Sequence, residues 1–147
     1  MAVGVQKLFI HVEDDRLTMK LALNMAEAFL PDYTHIWCAT QAAFLEKMGK
    51  IILEKKPVRL FVLLDNQFPR DGNLGCEWKN MGIDTAEKIR EMVKEHPFIE
   101  AVLVSSSSQQ DENFQEPGLF DAVWGKPLNR GKFEEFSKRL DGLFSKD

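Results

Sequence analysis

Long apolar runs are missing from this sequence of 147 residues. No stretch approaches the roughly 18 residues that a membrane-spanning helix needs. The opening "MAVGVQKLFIHVEDD" has neither the basic start nor the unbroken apolar segment of a secretory signal. Cysteine is scarce: Cys38 and Cys76 stand far apart with no CxxC pair, which excludes a disulfide framework and gives no structural zinc spacing. The three histidines, His11, His35 and His96, share no metal-ligand spacing either. No polybasic run occurs, and the formal net charge of −4 offers no electrostatic footprint for nucleic acid. These absences predict a soluble, cytoplasmic protein with neither a membrane nor a nucleic acid as partner. The length suits a single domain spanning residues 1–147, with no output domain attached.

What is present is alternation. The segments "KLFIHV", "YTHIWCA", "VRLFVLL", "IEAVLVS" and "FDAVWG" read as five short, buried strands. Helical spacing separates most of them. Leu17, Leu21, Met25, Ala28 and Phe29 outline a first helix ended by Pro31; Leu45, Met48, Ile51 and Ile52 a second; Ile83, Ala86, Ile89 and Val93 a third ended by Pro97. Phe133, Phe136, Leu140, Leu143 and Phe144 form the stripe of the last. Between the fourth and fifth strands, "SSSQQDENFQEPGL" has little apolar period and predicts only a short or frayed helix. Strands alternating with helices imply an α/β fold, a doubly wound parallel sheet of flavodoxin-like type.

In such sheets ligands gather at the carboxyl ends of the strands. There the sequence places Glu13, Asp14 and Asp15 after strand one, Asp65 after strand three, Ser105 after strand four, and Lys126 with Pro127 after strand five. Asp15 is also the natural N-cap of the first helix. If Glu13, Asp14 and Asp65 converge on Lys126, three carboxylates and one ammonium leave a local charge of about −2, which raises carboxylate pKa values or calls for a cation. Oxygen donors of this kind select a hard ion such as Mg²⁺. A carboxylate beside Mg²⁺ and an ammonium group is equipped to accept a phosphoryl group, because both cations offset the charge that gathers on the phosphoryl oxygens.

Five pieces in order, "FIHVEDD", "VLLDNQFP", "GIDTAEKIR", "AVLVSS" and "VWGKP", resemble the motifs of the CheY-like receiver domain of two-component response regulators, over about Lys7 to Leu140. The resemblance implies the strand order 2-1-3-4-5 and a set of roles. Asp65 would be phosphorylated. Asp14 would bind Mg²⁺ directly, Glu13 through a coordinated water, and Asp65 and the backbone carbonyl of Gln67 would complete the metal set. Ser105 and Lys126 would bind the phosphoryl group, and Gln67 and Ser107 would tune dephosphorylation. The implied partners are a histidine kinase or a histidine phosphotransfer protein upstream and a target protein downstream, with no enzymatic activity beyond the domain's own phosphorylation and dephosphorylation.

Three departures from the pattern stand out. Serine replaces the more usual threonine at Ser105, and Val123 stands where receivers commonly carry Tyr or Phe. The tract from Arg70 to Met81 is about nine residues longer than the common turn. Its bland reading is a tolerated surface insertion; its sharper one is a flap over the metal site with Trp78 shielding the phosphoryl group or gripping a partner. Two other functions compete with the first. One is a receiver-like interaction module indifferent to phosphate. The other is a phosphatase of haloacid-dehalogenase type, which needs a second carboxylate two residues after the nucleophile, where this chain has Gln67.

Overall fold

Asp65 reaches one edge of the molecule because the strand carrying it is buried on both faces. A computed structural model describes residues 4–107 and 119–144. Its elements run β1 (Gln6–Val12), α1 (Arg16–Phe29), β2 (Thr34–Cys38), α2 (Gln41–Glu54), β3 (Val58–Asp65), α3 (Met81–Glu95), β4 (Ile99–Ser107), β5 (Ala122–Gly125) and α4 (Arg130–Phe144). The strands form one parallel sheet in the order β2-β1-β3-β4-β5, as expected. The helix expected between β4 and β5 falls on residues 108–118, outside the described residues.

Side-chain alternation along β3 sorts the core into two layers. Val58, Leu60, Val62 and Leu64 pack with Phe44, Met48 and Ile51 of α2 and Ala86 and Ile89 of α3. Phe61 and Leu63 face the other way, towards Ala22, Met25 and Ala26 of α1 and Phe133, Phe136 and Leu140 of α4. The second layer is rich in rings: Phe61 lies 4.9 Å from Phe9 and 5.4 Å from Phe136, while Trp124 meets Phe136 edge-on at 5.3 Å. Truncating a fully buried ring such as Phe61 in a layer of this kind removes roughly 3–5 kcal/mol.

The apolar stripe of α1 differs from the one read from sequence. Ala22, Met25 and Ala26 are buried, whereas Leu17 is 67 % exposed, Leu21 is 39 % exposed and Ala28 is exposed. The small alanines let the helix lie close to the sheet, and the leucines of its first turns project from the rim. The other stripes agree with the sequence reading, with Phe44 and Gln41 added to the buried side of α2. Asp15 caps α1 as expected, its carboxylate accepting from the Thr18 amide at 3.1 Å. Thr40 caps α2 in the same way through Ala43. No helix among the described residues is long and apolar enough to cross a membrane.

Candidate phosphoacceptor and metal site

β1 and β3 are neighbours in the sheet, and their register runs from Gln6 opposite Val58 to Val12 opposite Leu64. The next residue on each chain is therefore an acid, Glu13 beside Asp65, at the carboxyl edge. Carboxylate oxygens of Glu13, Asp14 and Asp65 all lie within 4.8 Å of one another. Asp14 is exposed, whereas Glu13 is fully buried and Asp65 nearly so. Lys126, brought in by β5, bonds both buried acids: its Nζ is 2.6 Å from Glu13 Oε1 and 3.2 Å from Asp65 Oδ1. The four residues expected to converge do so.

The electrostatics follow from that crowding. Burial, and then the negative charge of Asp65, push the Glu13 carboxyl up to about 7, even though Lys126 pulls the other way. Burial works against the Lys126 charge, yet its hydrogen bond to Glu13 and the two carboxylates together hold its pKa above the ordinary value. An acid kept this far above its usual range gains from a further cation. The donor set is carboxylate oxygen alone, which fits a hard divalent ion and not a soft one. Asp65 is oriented from both sides, since its Oδ1 also accepts from the Asn66 amide at 2.8 Å.

The two serines are separated by the sheet register. Ser105 lies between Leu64 and Val123, whereas Ser106 lies between Asp65 and Trp124. Both are fully buried, and neither hydroxyl has a hydrogen-bond partner among the described residues. Sequence reasoning selected Ser105 because it follows "AVLV" directly; the register makes Ser106 its equal as a hydroxyl beside the acceptor strand. Ser107 pairs with Gly125 at the end of β4, and its side chain is outside the described residues. Val123 is half exposed on β5.

The long tract is tethered. Gln67 is exposed, but the neighbouring Phe68 is fully buried in the layer beneath α2 and α3. The carbonyls of Pro69 and Arg70 accept from the Gln41 and Ala42 amides at the start of α2, at 3.1 and 2.8 Å. An Arg70 N–H to Glu77 carbonyl bond then closes a compact turn whose tip carries the exposed Leu74. Trp78 is 47 % exposed beyond that neck. Sequence reasoning missed three supporting residues. Asn66, Phe68 and Gln41 sit in or beside loops where no periodicity marks burial. Trp37 was missed as well; its indole Nε1 donates to the Glu13 carbonyl and fixes the end of β1.

No protein-family model and no curated protein matches the sequence. Solved structures do. The response regulatory domain of protein mrkE from Klebsiella pneumoniae superposes with a TM-score of 0.67 at 14% identity, over 97% of this chain and 100% of that one. A response regulator from Thermotoga maritima gives 0.57 at 16% identity, over 97% and 100%. The receiver domain of Ssk1 from Saccharomyces cerevisiae, solved with the histidine phosphotransfer protein Ypd1, gives 0.61 at 15% identity, over 95% and 94%. The fold of this chain is that of the CheY-like response regulator receiver domain.

Proposed function

We propose that the chain is a receiver that accepts a phosphoryl group on Asp65 and signals through a partner protein. The observation carrying this is the convergence of Glu13, Asp14 and Asp65 on Lys126 at the carboxyl edge. By the likeness to the receiver solved with a phosphotransfer protein, the donor is a phosphohistidine on a kinase or phosphotransfer protein. An Asp65 carboxylate oxygen attacks phosphorus, the P–N bond breaks, and its electron pair leaves on the imidazole, which takes up a proton. Glu13, Asp14, Asp65 and the Gln67 carbonyl would hold Mg²⁺. When bound, that ion supplies positive charge to the phosphoryl oxygens as they crowd against carboxylates.

The chain's own residues do the rest. Lys126, paired with Asp65 Oδ1, would pair with a phosphoryl oxygen. One of the buried hydroxyls of Ser105 and Ser106, neither of which has another acceptor among the described residues, would supply a donor. Gln67, exposed two residues past the acceptor, would influence the water that hydrolyses the aspartyl phosphate. Incubation with Mg²⁺ and acetyl phosphate should add one phosphoryl group to the intact mass, and Asp65→Asn should add none. An adduct of equal yield in the variant would remove Asp65 from the role.

A second reading has one observation in its favour. Val123 is half exposed where receivers carry an aromatic ring, so the usual ring-based readout has no counterpart. A static interaction module would then show the same amide spectrum with and without beryllofluoride, a phosphoryl mimic.

A further inference from the structure

The residues that follow Asp65 close a ring of hydrogen bonds that joins the acceptor to α2 and α3. Asn66 starts it. Its amide donates to the acceptor carboxylate, its carbonyl accepts from the Gly82 amide at 3.3 Å, and its side-chain Nδ2 donates to Asn80 Oδ1 at 3.3 Å. Three residues on, the Pro69 and Arg70 carbonyls hold the first two amides of α2. From α2 the buried Gln41 side chain returns to α3, its Nε2 donating to Asp84 Oδ2 at 2.6 Å and to the Thr85 hydroxyl at 3.0 Å. Thr85 in turn donates to the Met81 carbonyl, one residue from Gly82. The circuit therefore runs from Asp65 through Asn66 and the tract to α2, across to α3, and back to Asn66.

Packing makes the circuit stiff. A Cβ added to Gly82 would lie 2.3 Å from the Asp65 carbonyl oxygen, so the start of α3 rests on the acceptor residue itself. Phe68, fully buried, pins the tract to the layer beneath α2 and α3. A group bonded to Asp65 competes with the Asn66 amide for the carboxylate. A shift of Asn66 would pass to α3 through Gly82 and Asn80, and along the tract to α2 through Pro69 and Arg70.

We propose that Asn66 and the tract from Gln67 to Arg70 transmit the state of Asp65 to the start of α2, so that the switching surface includes α2 and the insertion. This rests on the reading of Asp65 as phosphoacceptor. It gives the insertion a role other than that of a flap: its neck is a coupling strut, and its tip from Gly72 to Gly75 is dispensable.

The test is amide hydrogen exchange by NMR on the full chain with Mg²⁺, with and without beryllofluoride. In the wild type the Gln41 and Ala42 amides should change exchange rate by about fivefold on loading, the factor one net backbone hydrogen bond is worth. Ala42→Pro deletes one strut bond at a first-turn position that tolerates proline. It should weaken the Gln41 response, whose own bond to the Pro69 carbonyl remains, while Asn66 and Gly82 still respond in full. Asn66→Ala keeps the backbone bonds to Asp65 and Gly82 and loses only the bond to Asn80, so the Gln41 and Ala42 response should persist while Asn80 no longer follows loading. Excision of 72–75, which keeps the Arg70–Glu77 neck, should leave the α2 response intact and covers the case in which Ala42→Pro does not fold. Unchanged Gln41 and Ala42 exchange in a wild type whose Asp65 and Lys126 signals shift would overturn the coupling alone. If no signal shifts at all, the acceptor reading fails and the coupling falls with it.

Discussion

At the scale of single residues, two buried titratable groups on or beside β1 pull stability in opposite directions with pH. Burial, with His35 and Lys126 adding positive charge nearby, pushes His11 down to about 3, and neither of its ring nitrogens has a hydrogen-bond partner among the described residues. Its folded pKa lies below the ordinary 6.5, so its contribution is present above that pH and is lost as pH falls. Glu13 behaves in reverse. Its folded value of about 7 exceeds the ordinary 4.5, so its contribution is present below 4.5 and is lost as pH rises towards 7. Between 4.5 and 6.5 the native state holds the Glu13 proton and the unfolded state the His11 proton, and the two slopes cancel. Burial also holds His35 below its ordinary value and adds a slope of the same sign as that of His11, so metal-free protein in chelator should lose stability on acidification across that window through His35. Glu13→Gln should steepen that loss by up to about 1.4 kcal/mol per pH unit; His11→Phe should change the slope in the opposite direction by a similar amount. Parallel profiles for both variants would refute the pairing.

The two serines make a sharper residue-scale prediction. A buried hydroxyl without a partner costs its desolvation, so Ser105→Ala or Ser106→Ala should leave the unmodified protein as stable as the wild type or about 1 kcal/mol more stable. The same substitution at whichever serine faces the phosphoryl group should lower the yield from acetyl phosphate or shorten the adduct's lifetime. Urea midpoints and intact-mass time courses for the two variants decide between them. The sequence could not: "SSSS" offers no pattern, and only the pairing of Asp65 with Ser106 and of Leu64 with Ser105 separates their surroundings.

Among the elements, the meeting of α3 with the end of β3 is the least forgiving. The obstruction to a Gly82 side chain is backbone, the Asp65 carbonyl at 2.3 Å and Asn66 Cα at 3.0 Å, which cannot rotate away. Gly82→Ala should cost about 2–3 kcal/mol by overpacking, and it should also weaken phosphorylation, because the displaced residue is the acceptor. Urea titration checks the first effect and adduct yield the second; a variant that is destabilised but phosphorylated normally would separate α3 packing from the site. The elements themselves were legible because β3 and β4 carry near-continuous apolar runs and the other strands short β-branched or aromatic clusters, a signal that survives without any tertiary information. The face of α1 was not. Leu17 and Leu21 satisfy the helical period, but a helix that ends at a sheet rim has no sheet beneath its first turn, and periodicity does not report where the sheet stops.

For the whole molecule, the site was legible to the extent that topology decides it. Once five parallel strands alternate with helices, every strand end lies on one edge, and Glu13, Asp14, Asp65 and Lys126 meet by geometry alone. The hydrogen-bonded ring through Asn66, Pro69, Arg70 and Gln41 had no such rule behind it, since loop carbonyls carry no side-chain signature in a sequence. Both halves bear on a measurement of global stability. A ligand that binds only the folded chain stabilises it by mass action, about 2.7 kcal/mol at a hundredfold excess over its dissociation constant. Relief of the Glu13, Asp14 and Asp65 repulsion requires the folded edge, so Mg²⁺ should raise the melting temperature by about 5–10 °C at such an excess, given the usual 2–4 °C per kcal/mol for a domain of this size. Asp14→Ala should abolish most of that rise while leaving the metal-free melting temperature within a degree or two, because Asp14 is exposed and its loss relieves charge. Asp65→Asn should reduce the rise and, by lifting the negative charge beside Glu13, stabilise the metal-free protein above pH 7. Calorimetry on the three proteins, with Mg²⁺ and with chelator, reads all of these at once. A Mg²⁺ response that survives Asp14→Ala unchanged would move the ion away from the strand-end carboxylates.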